Sequence, residues 1–232
     1  MNIRITLIQR LCMVLMLVAA GFGLNACSDT ATAPAPAGSS TVTIFHANPA
    51  YTSDVVVRND TTTLATLAYG TSGTASVGNG SRSFTFRATD GTQLASTSIT
   101  LDSTIAPWVI FSGDAGGKDG FSINTKKISA TVGESAIRVI NASKNAGDIT
   151  LKVNSLTGAS FTASALSYQK ATDYVTFPSA STTKLIVLKG GNSILEIPLF
   201  LSDTKSYTVV IYGSTDAAAV APYKLAGKVI AD

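Results

Sequence analysis

The sequence predicts an all-β protein made of two tandem β-sandwich-like, immunoglobulin-like domains, and three observations predict it. From Thr41 onward the chain is a succession of short β-branched and aromatic runs set between Gly, Asn and Asp, with no helical period. Some runs alternate: Phe84 and Phe86 flank Thr85, and Leu151 and Val153 flank Lys152. Strands of that kind bury one face and wet the other, which suits antiparallel sheets stacked as a sandwich. The third observation is that the runs recur in the same order.

Val42-Thr43-Ile44-Phe45 opens the first series and Ile137-Arg138-Val139-Ile140 the second, each followed by an Ala in a polar stretch, His46-Ala47-Asn48 or Asn141-Ala142-Ser143. Asp54-Val55-Val56-Val57-Arg58 is answered by Asp148-Ile149-Thr150-Leu151-Lys152, and Leu67-Ala68-Tyr69-Gly70 by Leu166-Ser167-Tyr168-Gln169. Trp108-Val109-Ile110-Phe111-Ser112-Gly113 aligns with Thr208-Val209-Val210-Ile211-Tyr212-Gly213. The pattern reads as a tandem duplication, with repeats at 41–125 and 126–232. Asp90-Gly91 and Gly191-Asn192 are expected hairpin turns. Pro198 lacks a backbone donor, so its strand is expected at an edge or interrupted. Asp114-Ala115-Gly116-Gly117-Lys118-Asp119-Gly120 is expected to link the repeats: a calcium loop of the helix–loop–helix kind needs an oxygen ligand where Lys118 stands. Trp108 is expected to point into the first core.

Ahead of the strands, Arg4 and Arg10 precede an apolar run at 11–23. Thirteen residues fall short of the roughly 18 that a membrane span requires. A basic start, a short apolar run and small residues at 25–26 describe a signal peptide over residues 1–26. Residues 27–40, rich in Ala, Thr and Pro, read as a tether without apolar periodicity. Loss of Arg4 and Arg10 takes the formal charge from +3 to +1, so no surplus of charge draws the mature chain to nucleic acid. No glycine-rich phosphate loop opens a helix, and no nucleotide is expected.

Leu24-Asn25-Ala26-Cys27 resembles the bacterial lipobox. That resemblance implies cleavage between Ala26 and Cys27, a diacylglyceryl thioether on the Cys27 sulfur, palmitate-type acyl chains and attachment to a lipid bilayer. Ser28 directly after the cysteine, rather than an Asp, favours the outer membrane by the same resemblance. Cys12 leaves with the signal and Cys27 is acylated, so no thiol remains for a disulfide, a metal site or a nucleophile.

Little in the mature chain looks catalytic. His46 is the one histidine, placed at a strand end with Asn141 as its counterpart; it reads as a turn residue rather than a general base. Ser167-Tyr168-Gln169-Lys170 and Ser181-Thr182-Thr183-Lys184 spell Ser-x-x-Lys but lack the helix and companion motifs of that chemistry. No catalytic residue, metal site or cofactor is assigned. Tyr51 and Tyr223, beside Pro49 and Pro222, are the candidate exposed aromatics for contact with a ligand.

The opening strand ending in Ala, the Asp-led strand, the Leu-x-Tyr segment and the closing strand ending in Gly resemble the bacterial envelope family called domain of unknown function 4397 (DUF4397). The resemblance spans about 41–232 as two copies. The first copy departs from it with Ser76-Val77-Gly78-Asn79-Gly80 where the second has Pro178. It implies a sandwich-like fold and an envelope address without naming an activity. The expected function is therefore a membrane-anchored envelope lipoprotein with a non-enzymatic structural or binding role, its partners being envelope proteins or glycans. A surface adhesin or carbohydrate-binding module is the alternative, and an envelope hydrolase, which would need His46, comes third.

Overall fold

The computed structural model describes residues 38–126, 128–179, 182–220 and 222–232, all within one compact unit spanning 36–232. Every described element is a strand. Eight belong to the first half: β1 Ser39–His46, β2 Val55–Asn59, β3 Thr62–Leu67, β4 Ser72–Gly78, β5 Gly80–Arg87, β6 Gln93–Leu101, β7 Ile105–Asp114 and β8 Gly117–Lys126. The second half holds β9 Glu134–Asn141, β10 Thr150–Val153, β11 Lys170–Ala171, β12 Val175–Pro178, β13 Thr182–Lys189, β14 Asn192–Phe200, β15 Ser206–Tyr212 and β16 Ala226–Ala231.

The strand orders of the two halves correspond. The first half stacks a β3-β2-β5-β6 sheet on a β4-β1-β7-β8 sheet; the second stacks β10-β13-β14 on β11-β9-β15-β16, with β12 also paired to β9. In each half the opening strand lies parallel to the seventh, β1 to β7 and β9 to β15, amid antiparallel neighbours. Val42, Ile44, Phe84, Phe86, Val109 and Phe111 fill the first sandwich, and Ile137, Val139, Leu185, Val187, Val209 and Ile211 the second. This is the alternating arrangement that period-two strands require.

A third apolar cluster lies between the halves. Phe45, Trp108, Ile110, Phe121 and Ile123 from the first meet Ile140, Ala142 and Val210 from the second. The outer faces of the β1/β7 and β9/β15 sheets are therefore covered by each other, giving four stacked layers. These four strands are buried on both faces for much of their length, which is why they read as near-continuous apolar runs. Trp108, 1 % exposed, points into this seam and not into the first core, correcting the sequence expectation.

Asp114–Gly117 is also not the linker between repeats. It is the turn of the β7–β8 hairpin, in which Asp114 Oδ1 accepts the N–H of Gly116 at 3.0 Å. Gly113 at its mouth has φ of 135°, and a Cβ there would stand 2.2 Å from the carbonyl oxygen of Gly117, so only glycine lets the hairpin close. The halves are joined instead by the segment between β8 and β9.

Both expected hairpins form, the second with its turn one residue before Gly191-Asn192, since Asn192 already pairs with Lys189. Gly190 and Gly191, with φ of 57° and 84°, turn β13 into β14. β14 is the edge of its sheet, where Pro198 removes no ladder bond the sheet needs. The open edge of β6 is covered by side chains from β8: Ser122 Oγ donates to the Ser98 carbonyl and Asn124 Nδ2 to that of Thr100, each at 3.0 Å.

Candidate functional site

The chemically distinctive residues gather at the two ends of the seam. β1, β7, β9 and β15 run in one direction there, the parallel Gly113–Ser143 bridge joining the far ends of the two halves.

At the end where these strands finish, two tyrosines from matching sequence positions cross the seam in opposite directions. Tyr69 of the first half packs on Tyr212 and Tyr223 of the second, at ring separations of 5.6 and 5.1 Å. Tyr168 of the second half reaches Ser112 of the first, oxygen to oxygen at 2.6 Å, and donates to Asp119 Oδ2 at 3.0 Å. Lys144 closes this side, its Nζ 3.2 Å from Asp119 and 3.5 Å from Asp114. The Asp119 hydrogen bond foremost, with both carboxylates nearby, raises the Lys144 pKa. Burial raises those of Tyr69, Tyr168 and Tyr212. The Tyr69 hydroxyl is buried without a hydrogen-bond partner.

Tyr51 and Tyr223, the two aromatics singled out from the sequence, both join this cluster. Tyr51 stands edge-on to Phe111 at 5.9 Å, near His46 at 6.2 Å, with the Lys118 ammonium 5.3 Å from its ring centre. His46 in turn meets Tyr69, which meets Tyr223. Both are half-buried, contrary to the expectation of exposure, because their rings pack on other rings beside the seam.

His46 is fully buried. Its Nε2 faces the Ser53 carbonyl and its Nδ1 the N–H of Asn48, both at 3.4 Å, while Tyr51, Tyr69 and Phe111 surround the ring. Desolvation lowers its pKa to about 4, outweighing the Ser53 carbonyl and Asp54, which act the other way. The ring is thus held between backbone groups and packed among other rings at the end of β1.

At the opposite end the seam opens into a groove of about 720 Å³, lined by residues that include Thr41, Thr43, Trp108, Ile128, Tyr174 and Asp232. Behind its wall lies Arg138, wholly buried, which sequence reasoning did not single out. Its Nε donates to Thr208 Oγ1 at 2.8 Å, and Nη2 reaches the Ala106 carbonyl across the seam at 3.4 Å. The guanidinium carbon lies over the rings of Trp108 and Tyr174, 5.7 and 5.0 Å from their centres. Thr208 Oγ1 and Tyr174 Oη both donate to Asp232, at 2.7 Å each, so the counter-charge reaches Arg138 through Thr208. Burial lowers the Arg138 pKa and raises that of Tyr174. The one sequence signal for this group was an arginine inside the apolar run Ile137–Ile140.

Ala26 and Cys27, the expected cleavage and acylation positions, lie outside the described residues.

Residues 40–152 match the family model described as a domain of unknown function, DUF4397. The match covers almost all of the first half and continues through β9 into β10. No curated protein matches the chain.

Proposed function

We propose that this chain is a lipid-anchored protein of the bacterial envelope, held through acylated Cys27 and displaying a rigid β unit in a non-enzymatic structural or binding role. The observation that carries the reading is Leu24-Asn25-Ala26-Cys27 at the end of a basic-then-apolar segment too short to span a bilayer. Two acyl chains on one cysteine anchor stably, whereas a single chain binds only marginally. Ser28 directs the mature protein to the outer membrane in this reading. The burial and lowered pKa of His46 speak against hydrolysis.

We further infer that the halves are two copies of one domain. Matching strand orders support this, as do the aligned strand ends and the reciprocal placement of Tyr69 and Tyr168. On this reading the partner meets one stiff four-layer body. Envelope proteins and glycans are the partners proposed.

Membrane fractionation tests the anchor. The wild-type chain should sediment with envelope membranes, and Cys27→Ser should leave the mature β unit in the soluble fraction or the precursor uncleaved. A Cys27→Ser chain that is processed and sediments like wild type would sink the reading. For the glycan role, an envelope-polysaccharide array on which the chain binds nothing would remove glycans from consideration.

A further inference from the structure

Among the described residues five large apolar side chains stand exposed, and four of them, Ile128, Val132, Leu156 and Phe200, gather at one end of the second half. Val132 is 85 % and Phe200 80 % exposed. Backbone bonds hold the group together. The N–H of Gly133 donates to Asp203 Oδ1 at 2.7 Å and that of Thr204 to the Glu134 carbonyl at 2.9 Å, fastening the loop of Val132 to the turn after Phe200. Ser206 Oγ donates to the Ile128 carbonyl at 2.9 Å. The N–H of Lys184 donates to Asn154 Oδ1 at 3.1 Å, bringing the Leu156 loop beside the start of β13, where Thr182 pairs with Phe200.

The chain enters the β unit at this same end. β1 begins at Ser39, and its Thr41 and Thr43 line the groove together with Ile128, Lys205 and Ser206. Ser39 lies twelve residues after Cys27, a stretch that reaches at most about 40 Å when fully extended. Resting on the proposed lipid anchor, and adding a face to it, we propose that this end lies on the bilayer, with Val132, Phe200, Ile128 and Leu156 dipping into the headgroup–acyl boundary. Apolar side chains partition there, and the anchor keeps them beside the lipid surface.

Charge has little part in this contact. Arg82, Lys126 and Lys205 are offset by Asp102, Asp203 and Glu134 at the same end, so a neutral phosphatidylcholine surface suffices and salt has little effect. The end carrying Tyr51, Lys118 and the Lys144–Asp119 pair then faces away from the membrane.

The test uses residues 36–232, which contain every described strand pair, with an amino-terminal hexahistidine held on nickel-chelating lipid in phosphatidylcholine vesicles. Hydrogen exchange should slow in peptides covering 128–134 and 200–206 relative to the same protein free in solution, and stay unchanged at 114–117. The double variant Val132→Ser with Phe200→Ser should lose that protection without a change in melting temperature, because both side chains are exposed. Equal exchange on and off vesicles overturns the proposal, as does protection centred on 114–117 or protection that the variant retains. The nickel tether stands in for the acyl chains. Failure here therefore leaves Cys27 acylation intact, and an unacylated Cys27 leaves this result intact.

Discussion

The imidazole Nδ1 of His46 faces the N–H of Asn48 at 3.4 Å, as Oδ1 of Asn141 accepts the N–H of Ser143 at 3.1 Å. One residue on, the N–H of Ala47 donates to the Phe111 carbonyl at 2.6 Å, and that of Ala142 to the Ile211 carbonyl at 2.8 Å. The two side chains thus hold corresponding turns at the ends of β1 and β9, although their chemistry differs. Asn141 ties its turn with Nδ2 bonds of 2.7 and 3.1 Å to the Gly147 and Leu166 carbonyls. His46 has one 3.4 Å contact from Nε2 and a shell of rings instead.

That difference gives the protein a pH dependence. The folded pKa of His46 is about 4 against 6.5 unfolded, so between these values the unfolded chain binds the extra proton. Stability is full above pH 6.5 and falls as pH drops toward 4, by an amount on the order of 3 kcal/mol at about 1.4 kcal/mol per pH unit. Urea unfolding at pH 7 and pH 4 should show this loss in wild type and much less of it in His46→Asn. Equal loss in both proteins would assign the dependence to other groups.

The crossing tyrosines should respond differently to removal of one oxygen. Tyr168→Phe removes the hydroxyl that Ser112 and Asp119 share, leaving Asp119 to Lys144 alone, and should cost about 0.5–1.5 kcal/mol. Tyr69→Phe removes a buried hydroxyl that has no partner and should be neutral or stabilising. Denaturation midpoints of the two single variants check the order; a larger loss for Tyr69→Phe contradicts it.

Arg138 should be harder to strand than to replace. Thr208→Val removes the oxygen between the guanidinium and Asp232 and should cost about 1–3 kcal/mol. Arg138→Met fills a similar volume between Trp108 and Tyr174 without a charge to compensate and should cost less. Chemical denaturation of both variants decides; a milder Thr208→Val would place the stabilisation elsewhere.

The seam makes the halves one cooperative body. Trp108, the only tryptophan, lies at their junction, so its fluorescence and the far-ultraviolet dichroism of all strands should unfold together. Trp108→Ala should cost about 3–5 kcal/mol and lower that single transition. Two separated transitions would mean that the halves unfold independently.

The strand framework was legible because period-two runs and Gly or Asp turns are local signals, as at Phe84-Thr85-Phe86 and Gly190-Gly191. The seam was not. β7 is apolar at successive positions from Trp108 to Phe111, and such a run gives no parity from which to tell core face from seam face. Asp114–Gly117 looked like a linker because β8 beyond it offers only Phe121 and Ile123 as apolar signals amid polar residues. Arg138 depends on Thr208 and Asp232, whose distance along the chain hides the network from any local reading. Tyr51 and Tyr223 stood beside prolines in turn-like sequence, and only the folded ends of the strands bring them to other rings.

The most direct test of the account is the mass of the amino-terminal peptide of the mature protein purified from membranes. The account predicts a chain beginning at Cys27 that carries diacylglycerol on sulfur, with or without a further acyl group on the new amino terminus. A mature chain beginning elsewhere, or at an unmodified Cys27, would contradict it.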